Sequence, residues 1–329
     1  MNRYALAAFI ILSSACGTTA TTPGLPAATV VLPASVRIQL VESGTAVVRD
    51  VPLEEYVRAT AISEFAPAAG SVDAVERMLE VQAVISRTYA VSHLGRHGRD
   101  GFDLCSTTHC QLYDPRRLQT SRWATAASTA VEHTVGQILL FDRQPVQALF
   151  HADCGGYTST SSAVWGGIDR PYLIARPDEG LAAGAHADWQ YQVSLDALSG
   201  ALAADPRTHV TGRLESIDVL VRDGAGRAER VAVRGLAARG TTAGNNVDVR
   251  GEDLRQVLSR AFGARTIRST RFDVRRTGEV FEFSGRGFGH GVGLCQAGAF
   301  ARVRSGTTPL EVLRYYYPGV VVTSGGSGI

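Results

Sequence analysis

Between Phe283 and Ala299 the chain reads Phe283-Ser284-Gly285-Arg286-Gly287-Phe288-Gly289-His290-Gly291-Val292-Gly293-Leu294-Cys295-Gln296-Ala297-Gly298-Ala299. Glycine loses more freedom on folding than any other residue, so a run this rich in it is costly unless the backbone must turn tightly or approach something closely. The pattern predicts a strand-to-helix turn, with His290 at the mouth of a helix from near Val292 to Arg304 whose first turn presents N–H donors. The lysine and spacing of a phosphate loop are absent. Phe150-His151-Ala152-Asp153-Cys154-Gly155-Gly156-Tyr157 has the same character, a His at a strand end beside a glycine pair.

The 329 residues, 45% of them apolar, suffice for one large domain or two modest ones. A net charge of +2 from 33 basic and 31 acidic residues, with no basic run, argues against a nucleic-acid partner. At the start, Asn2 and Arg3 precede an apolar stretch, Tyr4 to Leu12, of signal-peptide length and too short to span a bilayer. It ends in Ser13-Ser14-Ala15-Cys16-Gly17, which resembles a lipoprotein cleavage site, although Ser13 stands where Leu is usual. Residues 1–16 therefore read as a signal peptide with lipidation at Cys16, and ordinary secretion as the competing route. The expected location is the cell envelope, anchored by lipid. Gly17 rather than Asp after the Cys favours the outer membrane over the inner one in a Gram-negative host. Residues 17–33, rich in Thr, Ala and Pro, read as a linker, residues 34–319 as the folded part, and 320–329 as a C-terminal tail.

The spacing predicts a hairpin of Val36 to Leu40 and Thr45 to Val48. A helix over Leu53 to Ile62 should follow, capped by Asp50 with Pro52 in its first turn. A longer helix from Ser71 to about Leu94 should carry Val75, Met78, Leu79, Gln82, Ser86 and Tyr89 on one face. Periodicity vanishes from Arg96 to Pro115, where His, Gly, Asp and Cys crowd together. A helix over Thr120 to Val135, closed by Gly136, leads to a hairpin of Gln137 to Phe141 and Val146 to His151. The stretch from about 182 to 264 has strands and a helix of its own and reads as a smaller inserted lobe. Strands Arg271 to Arg275 and Val280 to Phe283 and two short helices complete a mixed, loop-rich α+β chain.

Glu64 lies in Ala61-Ile62-Ser63-Glu64-Phe65-Ala66-Pro67, with little polar around it. Such surroundings raise a carboxyl pKa towards the value that a general acid needs near neutrality. Gln82 and Ser86 sit on an otherwise packed stripe, as a buried polar pair would. Cys105-Ser106-Thr107-Thr108-His109-Cys110 packs three soft donors into six residues, and His97 is the nearest fourth, so a structural zinc and a Cys105–Cys110 disulfide are both open. Cys154 and Cys295, each inside a glycine-rich motif, could form a further bridge.

Val51-Pro52-Leu53-Glu54-Glu55-Tyr56-Val57, Glu64 followed by Pro67, and Gln82-Ala83-Val84-Ile85-Ser86-Arg87-Thr88-Tyr89-Ala90 resemble the opening blocks of the stage II sporulation protein D (SpoIID/LytB) family. Cys105 to Tyr113, Phe150 to Thr158 and Gly287 to Ala299 resemble its later blocks in the same order. The resemblance implies a peptidoglycan lytic transglycosylase that cuts between N-acetylmuramic acid (MurNAc) and N-acetylglucosamine (GlcNAc), with Glu64 as acid and base and no cofactor needed for the chemistry. Alternatively it implies a non-catalytic glycan binder that enhances a cell-wall amidase. It also implies zinc on Cys105, Cys110, His109 and His97. Many relatives have Ser at the positions of Cys154 and Cys295, which suggests a paired change to a disulfide. Gln82, Arg87, His151, His290 and Gln296 are candidates for holding the glycan strand. A zinc-dependent envelope hydrolase is a further alternative.

Overall fold

The computed structural model describes residues 30–178, 187–236 and 246–327. The expected signal peptide, the lipidation at Cys16 and most of the linker lie outside these residues. Within them no helix is long and apolar enough to cross a membrane.

Two apolar cores divide the mixed α+β chain into a main lobe and a second lobe. The main lobe is built on the helix Val72–Ser92, capped by Ser71 through Ala74 N and carrying Val75, Met78, Leu79, Gln82, Ser86 and Tyr89 inward as the spacing predicts. Against it pack the helices Leu53–Glu64, Ala124–His133, Gln296–Arg304 and Pro309–Tyr316 and the strand Gln137–Phe141. A hairpin of Ser35–Glu42 and Thr45–Pro52 feeds the Leu53–Glu64 helix directly. Asp50 does not cap that helix: it lies in the strand opposite Arg37, and Pro52 occupies the cap position without a side-chain bond.

Several boundaries move for identifiable reasons. The folded part starts before residue 34, because Val31–Leu32 pair with Gly326–Ser327 and Leu32 is buried. Residues 320–329 are not all tail, since Val321–Ser324 add a strand to Gln137–Phe141. The helix expected over 120–135 is split into Arg117–Thr120 and Ala124–His133. Between them Trp123 turns inward to donate its indole N–H to Pro67 O at 2.8 Å. In the second hairpin only Gln144–Pro145 pairs with Gln137–Phe141. Phe150–His151 instead leaves to run parallel with Leu294–Cys295, Leu294 opposite Phe150 and Cys295 opposite His151.

The second lobe is larger than 182–264. Asp188–Ser194, Val280–Arg286 and Phe272–Thr277 form one antiparallel sheet, and Arg213–Arg222, Ala228–Leu236 and Asn246–Arg250 another. The helices Leu195–Ala203 and Gly251–Phe262 share their core with Trp189, Phe272, Phe281 and Phe283.

The glycine run threads the seam between the lobes. Gly287, at φ +85°, lies so close to Asp153 and Gly155 that a Cβ would stand 2.7 Å from Gly155 N. Arg227 crosses the same seam fully buried, donating to Cys154 O at 2.7 Å and to Gly289 O at 3.2 Å. Arg227→Met would remove both of these buried bonds and should destabilise the protein by about 3 kcal/mol. A urea unfolding series checks this, and an unchanged midpoint would show that the contact is dispensable.

Candidate functional site

Glu64 ends its helix, where the chain turns to extended geometry at Phe65. Phe65 is buried edge-on against Phe300, with ring centres 5.2 Å apart, so the carboxyl has an apolar wall on its C-terminal side. Burial pushes the Glu64 carboxyl up to about 7 against the opposing pull of the Leu112 N–H, which donates to its Oε1 at 2.5 Å. Among the described residues no neighbouring carboxylate adds to that shift.

The Cys/His loop holds this helix at three places, two at its end and one in its first turn. Besides Leu112, Asp114 N donates to Ser63 Oγ at 3.1 Å, and Tyr56 Oη donates to Gln111 Oε1 at 2.8 Å in the buried layer below. Sequence reasoning missed these clamps, because two of the donors are main-chain N–H groups with no side-chain signature.

The loop itself gathers His97, Cys105, His109 and Cys110, whose donor atoms all lie within 4.8 Å of one another. His97 Nε2 is 3.3 Å from Cys110 Sγ, and His109 Nδ1 is 3.7 Å from Cys105 Sγ and 3.6 Å from Cys110 Sγ. A tetrahedral zinc with ordinary Zn–S and Zn–N bonds places its ligand atoms roughly 3.3–3.8 Å apart. Two thiols and two imidazoles at these spacings therefore fit that ion. Cys105 and Cys110 are thiols and not a bridge.

On the other side of Glu64, Gln296 donates to Glu64 O at 3.2 Å and to Gln82 Oε1 at 3.0 Å, and Gln82 in turn donates to Ser86 Oγ at 3.2 Å. The buried pair expected on the long helix is thus one end of a chain of three side chains that anchors the backbone of Glu64. Gln296 can sit there because its helix begins at Gln296 and not at Val292: Leu294–Cys295 are still strand, and Cys295 caps the helix through Gly298 N. His151 stands opposite Cys295 in that strand pair, with its Nδ1 3.2 Å from Val292 O. His290 follows, its ring 5.3 Å from that of His151.

Arg87 is not in this arrangement. It is wholly buried and holds Glu54 through Nε at 2.8 Å and a second nitrogen at 2.5 Å, and Gln137 O at 3.0 Å. Its charge is used to join the first helix to the following sheet, and its full burial keeps it from a bound glycan strand. Cys154 and Cys295 are thiols in contact and not a bridge. Cys295 Sγ accepts from Cys154 N at 3.2 Å, and Cys154 Sγ is directed to Asp178 Oδ2 at 3.5 Å.

A two-lobed α+β protein whose Glu64 carboxyl is raised by burial and lies between a Cys/His knot and a glycine-rich strand pair defines the class. Residues 41–141 match the SpoIID family model, described as Stage II sporulation protein. Residues 185–293, nearly the whole second lobe, match a separate domain of unknown function, DUF8618. The chain is 28% identical over 275 residues to an uncharacterized protein of Brachyspira hyodysenteriae, covering 83% of this chain and 67% of that protein. It is 27% identical over 289 residues to Stage II sporulation protein D of Bacillus subtilis, covering 84% and 76%. To the amidase enhancer of Bacillus subtilis it is 26% identical over 294 residues, covering 78% of this chain but only 39% of that longer protein.

Proposed function

We propose that this protein is an envelope lytic transglycosylase that cuts peptidoglycan glycan strands at the MurNAc–GlcNAc bond. The observation that carries the reading is Glu64: a single carboxyl at about 7, with burial as the cause and no carboxylate partner contributing. A hydrolase needs two carboxyl groups, one as acid and one as nucleophile or base. Intramolecular attack needs one, because the substrate's own 6-hydroxyl is already held beside C1.

Protonated Glu64 gives its proton to the glycosidic oxygen as the C1–O bond breaks and positive charge develops at MurNAc C1. The Glu64 carboxylate then takes the proton of the 6-hydroxyl as that oxygen bonds to C1. Glu64 ends protonated, no water is consumed, and the new end is 1,6-anhydroMurNAc. Gln296 and Gln82 keep the helix end in place and Leu112 N–H fixes one carboxyl oxygen, leaving the other for chemistry.

Zinc on His97, Cys105, His109 and Cys110 would serve as a structural knot for the loop that supplies Leu112. Four protein donors fill a tetrahedral shell, which disfavours a zinc hydrolase, where one position must stay open for water. Lipid attachment at Cys16, placing the enzyme at the outer face of its substrate layer, belongs to the same proposal.

The test is mass analysis of fragments released from denuded glycan strands. Anhydro ends, one water lighter than hydrolytic ends, are expected. Hydrolytic ends, or none, would remove the transglycosylase reading. The likeness to an amidase enhancer supports a second reading, glycan binding that stimulates a cell-wall amidase. Amidase stimulation that survives Glu64→Gln unchanged would single that reading out.

A further inference from the structure

The seam between the lobes carries an aromatic surface that the chemistry at Glu64 does not use. Trp165 closes the short helix Ser161–Trp165 and is 37% exposed, whereas Trp123 and Trp189 are 6% and 4% exposed. Three residues on, Ile168 is 92% exposed. Single apolar residues in water are ordinary, but an exposed tryptophan and an exposed isoleucine three residues apart are less so.

The turn is well tied. Thr160 Oγ1 accepts from Ala163 N at 3.3 Å, and Asp169 Oδ1 accepts from Ser162 N at 2.8 Å. Gly166, at φ +76°, leaves room for the Arg250 guanidinium of the second lobe, which a Cβ would approach to 2.9 Å. The indole is therefore presented without a large ordering cost at binding.

Its position is linked to that of Glu64 through the two histidines. The Trp165 ring centre is 5.1 Å from that of His290, and His290 is 5.3 Å from His151. His151 faces Cys295, and the next residue, Gln296, reaches Glu64 O. A line of contacts thus runs from the acid to the exposed indole.

We propose that Trp165 is a saccharide-stacking platform that binds one sugar ring of the glycan strand at a subsite removed from the bond cleaved at Glu64. This rests on the glycan reading above and deepens it. One face of a pyranose is a patch of C–H groups with its hydroxyls around the rim, which suits a half-exposed indole that is apolar in the middle and wet at the edge. The neighbouring His290 is uncharged near neutrality. Burial pushes it down to about 4 despite the Glu252 carboxylate, and Val292 N donates to its Nδ1 at 3.1 Å, so the proton sits on Nε2.

Trp165 is the one tryptophan of the three that solvent reaches appreciably, so intrinsic fluorescence and iodide quenching report on it directly. The full chain carrying Glu64→Gln, which keeps strands intact, is titrated with N-acetylglucosamine hexamer and with denuded glycan strands. We expect a saturable emission change and protection from iodide. Trp165→Ala should weaken binding about tenfold, while Trp165→Phe keeps most of the affinity. In the protein that retains Glu64, Trp165→Ala should raise KM on long strands about tenfold and leave kcat unchanged. Glycan binding with no emission change and no iodide protection overturns the platform, as does unchanged affinity in Trp165→Ala. Protection measured on the parent tryptophan decides the matter even if the alanine variant does not fold. Cleavage without any Trp165 response removes the platform alone, whereas a Trp165 response without anhydro products keeps it and removes the transglycosylase.

Discussion

Glu64→Gln should lower the release of anhydro-ended fragments by a factor of roughly 10²–10⁴, the usual loss when a positioned acid–base group is removed. The change is small in shape. The substituted amide would still present an oxygen to Leu112 N–H and leave the Gln296 contact to the backbone untouched. What it lacks is the proton to give and the carboxylate to take one back. The same group should set the pH profile. Since the first step needs protonated Glu64, activity should fall as pH rises through about 7.

Stability gives an independent sign. The folded-state pKa is about 7 against an ordinary 4.5, so the fold prefers the neutral acid. That preference is fully present below 4.5 and is lost as pH rises to 7, at a cost of at most roughly 3 kcal/mol, less what solvent screens. An amide at this position cannot ionise. The Glu64→Gln variant should therefore melt higher than the parent at about pH 8 and level with it at about pH 4. An inactive variant with no pH-dependent gain in melting temperature would mean that Glu64 is not desolvated as the fold implies. Full activity would end the catalytic assignment.

The second large effect is expected at the Cys/His knot. Purified protein should hold one zinc per chain, and Cys110→Ser should abolish that content. Removing one ligand of a structural zinc site forfeits much of the metal's contribution to folding, which in small zinc modules is on the order of 10 kcal/mol. Here a large core remains, so a drop of several degrees or more in Tm is expected in place of global unfolding. Activity should fall with it although Glu64 is intact, because the loop that carries Leu112 and Asp114 would no longer hold the helix end. Metal analysis and melting of the two proteins check this. A zinc-free parent of equal stability would reject the knot.

Much of this site is legible in residue order. Glu64 stands out because an acid in an apolar stretch is unusual, and the Cys/His crowding marks a cluster whose fourth member, His97, is also its neighbour in space. Gln82 is legible as buried because its spacing puts it on the packed face of a helix. Its partner Gln296 is legible only as part of a motif, since 214 residues separate the two. Arg87 is illegible for the same reason: a polar residue in a motif block looks the same whether its partner is a ligand or, as here, Glu54 on the preceding helix. Trp165 leaves no mark at all. A tryptophan before two glycines reads as a packed turn, and its exposure depends on how the second lobe meets the first.

The glycine run shows where the division falls. By itself the sequence determined that backbone must pass closely against something between Phe283 and Ala299, because no other residue type tolerates the left-handed turns and missing side chains at that density. It also determined the apolar setting of Glu64 and the local gathering of the Cys/His donors, which depend on contacts a few residues apart. Only the tertiary structure decided what the run passes against: the Asp153–Gly155 turn on one side and Arg227 of the second lobe on the other. It also decided that Leu294–Cys295 pair with Phe150–His151, which delays the helix to Gln296 and brings that side chain to Glu64. Those contacts join residues far apart in the chain, and local propensity carries no information about them. They depend on two cores closing at once.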